Sequence, residues 1–173
     1  MKSFRDVLLI GQDHPIEEKI RCAKGIYEEL SLSLSEAPDI VNLLRQYDEA
    51  IEATWNRMND VGVTRICTVC ATQDGGSCCG SGIEKRFDVT LLIINLMMGV
   101  SLPERPWDDT GCWFLGPRGC TIRARHTICV NYICKRLNAS IAQSDLHTLQ
   151  EAIAREVELG FFLEEKIKRM LMS

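Results

Sequence analysis

The stretch PDIVNLLRQYDEAIEATWNRMN, residues 38–59, carries the clearest structural pattern in the chain. Its apolar side chains recur at spacings of three and four residues, at Ile40, Leu44, Tyr47, Ile51, Trp55 and Met58. This period places them on one face of an α-helix. The following Asn59-Asp60-Val61-Gly62 is typical of a helix end. We therefore predict a helix over 38–59 whose apolar face lies in a core or, as an alternative, in a dimer seam.

The same period appears on both sides of this stretch. It predicts a helix from Pro15 to Leu34, with Asp13 as its cap and the proline in its first turn. It predicts another from Ser144 to Met172, which Gly160 weakens locally. Between them, the residues from Asp88 to Met98 are apolar nearly all round, so we expect a short buried helix there.

The remaining sequence is rich in cysteine and glycine and shows no apolar period. Val63 to Gly82 and Cys112 to Cys134 are therefore expected to be loops. We predict a mainly α fold in one domain, 1–173, in which N- and C-terminal helices form a bundle. The helical N-terminal part covers 1–62, an inserted cysteine-rich metal-binding module covers 63–137, and the C-terminal helix lies in 138–173.

The composition is that of an ordinary globular protein, with 46% apolar and 25% charged residues. A net charge of −4 gives no general basic surface, so nucleic-acid binding is not expected. The longest apolar run, Val89 to Val100, is shorter than the roughly 20 residues of a membrane span. The run from Val7 to Ile10 is too short for a signal-peptide core. We therefore expect a cytoplasmic protein without membrane contact, in which cysteines are reduced.

Eight of the nine cysteines lie in two stretches of the chain. Their spacings are Cys67-x2-Cys70-x7-Cys78-Cys79 and Cys112-x7-Cys120-x8-Cys129-x4-Cys134. Two cysteines separated by two residues can turn both sulfurs toward one metal, in zinc and iron–sulfur sites alike. Thiolate-rich ligation favours zinc, iron–sulfur or copper(I) centres. We interpret all eight as metal ligands, and disulfides or buried thiols are the alternative.

Several neighbours of these cysteines bear on the site. Arg118, Arg123 and Arg125 lie among the predicted ligands and can offset the negative charge of the thiolates. His126 is an alternative ligand, because imidazole can replace a thiolate in such sites. The ninth cysteine, Cys22, lies in a predicted helix and is expected to be a small core residue.

The order of the cysteines resembles that of the YkgJ family. The shared elements are Cys67, Cys70, Cys78, Cys79, Cys112, Phe114-Leu115, Gly119-Cys120, Arg125, Cys129 and Cys134. They span about 40% of the chain. The family pattern is CxxCxxCC, whereas seven residues separate Cys70 from Cys78 here, and His126 stands where the family has proline. The resemblance implies a zinc- or iron-chelating domain with eight cysteines. The family also includes a domain of flagellin lysine methylases, in which an iron–sulfur cluster is implicated.

Three functional hypotheses follow. The first is an iron–sulfur protein, with 4Fe-4S as the expected cluster, that transfers electrons, senses redox state or supports a partner enzyme. The second is a structural zinc protein that acts as a protein-interaction module. The third is an enzyme with an open metal position. Because no catalytic arrangement or nucleotide-binding loop is apparent, we do not expect an enzyme by itself. A redox or enzyme protein is the expected partner, and oligomer formation is left open.

Overall fold

The computed structural model describes residues 13–73 and 78–172, and the fold is mainly helical, as predicted. The helices are α1 (Ile16–Glu36), α2 (Pro38–Asp60), α3 (Val63–Gln73), α4 (Val89–Met97), α5 (Thr127–Asn131), α6 (Lys135–Ser140) and α7 (Gln143–Met172). A small hairpin pairs β1 (Leu115–Gly116) with β2 (Gly119–Cys120), and Ile83–Arg86 forms one turn of 3-10 helix.

The four predicted helices are confirmed as α1, α2, α4 and α7, with ends that differ from the prediction by at most two residues. The predicted start of α1 is wrong in detail. Pro15 is the N-cap residue rather than part of the first turn, and no described side chain caps the helix. The start of α4 is capped by Asp88, whose carboxylate accepts a hydrogen bond from the Leu91 backbone N–H at 2.8 Å.

Most of the apolar core lies in one large cluster. It is formed by α1, α2, α4 and the C-terminal half of α7, together with residues from the loops around Phe87, Leu102, Phe114 and Ile122. The helix α4 lies at its centre, and its side chains from Val89 to Asn95 are all buried, as its nearly continuous apolar sequence predicts.

A small cluster packs under the N-terminal half of α7. Its members are Met58, Val63, Val130, Leu137, Ile141, Leu146, Leu149 and Ile153. Trp55 on α2 packs against both clusters and so lies between them. The long helix α7 therefore connects the two clusters, with α2 packed along it.

The prediction that 63–82 is a loop throughout is wrong, because α3 occupies its first half. The signal for this helix is weak but present: Val63 and Ile66 are three residues apart and both pack in the small cluster. The cysteines and threonines elsewhere in this stretch hide the period. The short helices α5 and α6 were also not predicted. The glycines Gly75 and Gly76 of the predicted loop, and the apolar run from Val7 to Ile10, lie outside the described residues.

Within 13–73 and 78–172, none of the helices combines the length and hydrophobicity that crossing a membrane requires.

Candidate metal centre

The eight clustered cysteines lie on several different elements. Cys67 and Cys70 are on α3, one turn apart, and Cys78-Cys79 precede the 3-10 turn. Of the others, Cys112 precedes the hairpin, Cys120 ends β2, Cys129 is on α5, and Cys134 is the N-cap residue of α6. All nine cysteines of the chain are described, and none is in a disulfide.

Backbone contacts bring the two cysteine stretches together. The N–H of Cys112 donates to the carbonyl of Cys79 at 2.8 Å. Next to it, Gly80 and Gly111 form an isolated antiparallel bridge, and the Ser81 N–H donates to the Thr110 carbonyl at 3.1 Å. Two cysteines that are 33 positions apart in sequence are thereby held side by side.

The hairpin returns Cys120 toward Cys112. Leu115 is paired with Cys120 across the two strands, and the Thr121 N–H donates to the Phe114 carbonyl at 2.8 Å. Gly119 has a φ of +111°, a conformation that favours glycine. Gly116 is also required, because a Cβ there would lie 2.8 Å from the Thr121 methyl group.

Four thiols gather around this hairpin. Burial raises the pKa of Cys112 to about 12, and the nearby Cys120 and Cys129 thiols add to the increase. Burial also raises the pKa of Cys129 to about 11, with contributions from Cys120 and Cys79. Together with the backbone bond between Cys79 and Cys112, these effects indicate that the four cysteines lie near one another. We call Cys79, Cys112, Cys120 and Cys129 the hairpin group.

A second set of thiols lies beside α3. The pKa of Cys67 is raised by burial and then by the thiols of Cys134, Cys78, Cys79 and Cys70. Cys134 packs against the small cluster with Ile66 and Ile133, which brings it next to α3, and its sulfur accepts from the Leu137 N–H at 3.5 Å. We call Cys67, Cys70, Cys78 and Cys134 the helix group.

The donor chemistry of both groups fits a thiolate-bound metal, since four sulfurs are the usual ligand set for zinc and iron–sulfur sites. The geometry is looser than that of a finished site. In the part of the chain that the structure describes, no three Cys, His, Asp or Glu side chains are arranged to hold a metal ion. The thiols are therefore neighbours whose sulfurs would have to move closer to share a metal.

Of the three arginines predicted to offset thiolate charge, Arg125 is the one close to the cysteines. Its charge lowers the pKa of Cys120 and Cys129 against the effect of burial. Its guanidinium stacks on the Trp55 ring at 4.1 Å. Arg123 instead bonds Asp48 on α2, and Arg118 is exposed on the hairpin turn.

The segment that leads to α5 is tied to the core by Asn95, which is fully buried on α4. Its amide nitrogen donates to the carbonyls of Leu91 and Ala124, both at 2.9 Å. Its oxygen accepts from the N–H groups of Arg123 at 2.8 Å and Ala124 at 3.0 Å. The sequence showed Asn95 only as an interruption of an apolar run, and that interruption was the available signal for this contact.

The remaining predicted residues lie as follows. Cys22 is partly buried on α1 and packs against the large cluster, as expected of a core residue. His126 is the N-cap residue of α5, and its Nδ1 accepts from the Ile128 N–H at 3.2 Å. Burial lowers the pKa of His126, so a neutral ring is favoured.

Comparison of the chain with protein-family models, with curated proteins and with solved structures found no match.

Proposed function

We propose that this protein binds metal through its eight clustered cysteines, as an iron–sulfur protein that transfers electrons, senses redox state or supports a partner enzyme. The observation that supports this is the convergence of thiols from two distant stretches into the helix group and the hairpin group. Each group has four sulfurs, the number that one tetrahedral zinc or one cluster takes from a protein. The resemblance of the cysteine order to the YkgJ family supports the same reading.

The two groups divide the vicinal pair, since Cys78 belongs to the helix group and Cys79 to the hairpin group. The short backbone link between adjacent cysteines restricts their use as ligands of one ion. A division between two sites removes that restriction. The bond from the Cys112 N–H to the Cys79 carbonyl supports assigning Cys79 to the hairpin group, while its thiol also adds to the pKa increase that burial causes in Cys67 and Cys78.

Charge gives the second argument. Burial raises the pKa of Cys67 and Cys78, and neighbouring thiols raise it further because the ionised forms repel one another. A bound cation stabilises the thiolates and reverses this effect. A bound cluster would supply one-electron transfer. The chain's cysteine sulfurs would hold the iron–sulfur group. The large hydrophobic cluster would shield it on one side, and Arg125 would place a positive charge beside it.

The test is a visible spectrum of anaerobically purified protein, with iron, zinc and acid-labile sulfide measured on the same sample. We expect a brown protein with matching iron and sulfide. A colourless protein with stoichiometric zinc would contradict the redox function and favour the structural zinc alternative. Protein that contains neither metal would contradict the whole proposal.

Serine substitutions test the division into two groups. Cys67→Ser removes a ligand of the helix group, and Cys112→Ser removes one of the hairpin group. We expect each variant to retain about half of the metal, because the other group remains intact, and the double variant to lose nearly all. Cys22→Ser is the matched control and should retain the wild-type content. If either single substitution removes all metal, the cysteines form one shared site instead.

A further inference from the structure

A cavity of about 570 Å³ lies on the side of α7, and none of its described lining residues is a cysteine. Its lining includes Tyr47 of α2, Leu91 of α4, Val130 of α5 and Gly160 of α7. The glycine allows this arrangement, since a Cβ at position 160 would lie 3.0 Å from the Tyr47 ring. The size is that of a pocket for a small molecule.

Two charged side chains of the cavity wall are buried and have unsatisfied polar atoms. Arg125 is 9% exposed, and its Nε and Nη2 have no hydrogen-bond partner among the described residues. These two nitrogens lie along the same edge of the planar guanidinium. That edge binds the two oxygens of a carboxylate or phosphate in a bidentate manner.

Glu156 on α7 has the complementary property. It is 1% exposed, and within the described part of the chain neither carboxylate oxygen accepts a hydrogen bond. Burial raises the pKa of Glu156, and the nearby Thr54 hydroxyl and Arg125 charge act against that rise. The Thr54 hydroxyl itself donates to the Ala152 carbonyl at 3.3 Å. A buried carboxylate without hydrogen bonds is costly, so a donor that enters the cavity would be strongly stabilising.

Other charged groups of the wall already have partners. The wall carboxylates of Asp88 and Glu164 pair with Lys168, at 3.4 Å and 3.2 Å, and the wall residue Arg86 also has an interaction partner. Glu158 is paired with Arg155 at 3.2 Å. Among the wall residues that the structure describes, the buried charged groups with unmet hydrogen bonds are thus one cation and one anion, Arg125 and Glu156. A ligand with an anionic and a cationic end satisfies both.

We propose that this cavity binds a small zwitterion of the α-amino acid class, whose carboxylate bonds the free edge of Arg125 and whose ammonium group bonds Glu156. The apolar wall formed by Leu91 and Val130 is then available to the ligand side chain. The proposal does not depend on metal binding, although Arg125 also lies near the cysteines.

The probes are the common L-amino acids at millimolar concentration, added to the full-length protein and followed by thermal shift and calorimetry. For the tightest amino acid, the matched control ligands are its two halves, the carboxylic acid without the amine and the amine without the carboxylate. We expect the zwitterion to bind and to raise the melting temperature, and each half to bind about tenfold or more weakly, since each forms one of the two charged contacts.

Variants assign the two contacts. Glu156→Gln keeps the size of the side chain and should weaken amino acid binding by about tenfold or more. Arg125→Gln should do the same if it folds. Glu151→Gln makes the same change of charge on an exposed position of α7 and should bind as the wild type does. The proposal is overturned if no amino acid binds, if either half binds as well as the whole, or if Glu156→Gln binds equally well.

Discussion

The helical scaffold and the cysteine-bearing segments are built in different ways. The scaffold of α1, α2, α4 and α7 is held by the large cluster, where α4 is buried on all sides. By contrast, α3 has only Val63 fully buried among its described side chains, and Cys67 and Cys78 are exposed. Burial of apolar area stabilises the first region. The second region contributes only single apolar side chains to the two clusters, such as Phe114 and Val130, and polar contacts to the scaffold add to these. Those polar contacts are therefore points where the two regions can be separated.

The largest effect is expected at Asn95, which joins the two regions. Asn95→Leu keeps a buried side chain of similar size but removes all four hydrogen bonds to the backbone of 91 and 123–124. Because buried backbone groups would be left unpaired, we expect the free energy of unfolding to fall by about 3 kcal/mol or more. Urea denaturation measures this.

The matched control is Asn56→Leu, at an exposed position of α2. It should change stability by about 0.5 kcal/mol or less. A loss for Asn95→Leu as small as that of the control would show that the Asn95 contacts do not join the regions.

The same contrast explains what the sequence could predict. Ile40, Tyr47 and Ile51 follow the helical period and are buried on one face, so α2 was predicted to within one residue. In α3 the apolar positions are few, and cysteines occupy its exposed face, so the pattern did not distinguish a helix from a loop. The proximity of Cys79 to Cys112 depends on a backbone contact between distant segments, which no local pattern encodes.

The candidate sites show the same difference between local patterns, which the sequence reveals, and contacts of distant segments, which it does not. The eight cysteines could be named from the sequence because thiols at short spacings are unusual, but their division into two groups could not. The sequence indicates a role for Arg125 through its charge near the cysteines. Its stacking on Trp55 and the presence of Glu156 in the same cavity wall depend on the packing of α2 against α7. The sequence shows Glu156 only as one of many charged residues of a long helix.

A second prediction tests the tight packing of the scaffold. Gly160→Ala places a methyl group 3.0–3.1 Å from three atoms of the Tyr47 side chain. Since Tyr47 is itself buried, it cannot move freely, and we expect a loss of about 1–3 kcal/mol in the free energy of unfolding.

Gly25→Ala on α1 is the control for this substitution, because no atom lies within 4 Å of its added Cβ. There the better helix propensity of alanine should stabilise the protein by about 0.5–1 kcal/mol. Opposite signs for the two variants are the expected result in thermal denaturation. Equal gains would mean that the Tyr47 ring does not pack against α7.

A third prediction concerns metal removal and rests on the proposed function. If metal holds the helix group, then chelation should release α3, which buries little apolar surface, and leave α4 unchanged. We expect amide hydrogen exchange in α3 to accelerate about tenfold or more, and exchange in α4 to stay within twofold, on the order of the measurement error. Mass spectrometry with and without chelator measures both. Equal protection of α3 in the two samples would show that α3 stays folded without the metal.

The smallest effect is expected from the ion pair that joins Arg123 to Asp48 on α2. The two side chains are 34% and 44% exposed, so water and salt screen their attraction. Asp48→Asn should therefore lower the free energy of unfolding by about 1 kcal/mol or less. The loss should shrink further in about 1 M salt, where ions screen charges over a distance of roughly 3 Å.

The control is Glu49→Gln, which removes an exposed pair with Arg45 inside the same helix. Both variants lose one surface ion pair, but only Asp48 contacts the segment that leads to Arg125. A larger metal loss in Asp48→Asn than in Glu49→Gln would show that even this weak contact helps to place the cysteine-bearing segment on the scaffold, and equal metal content would leave that role to Asn95.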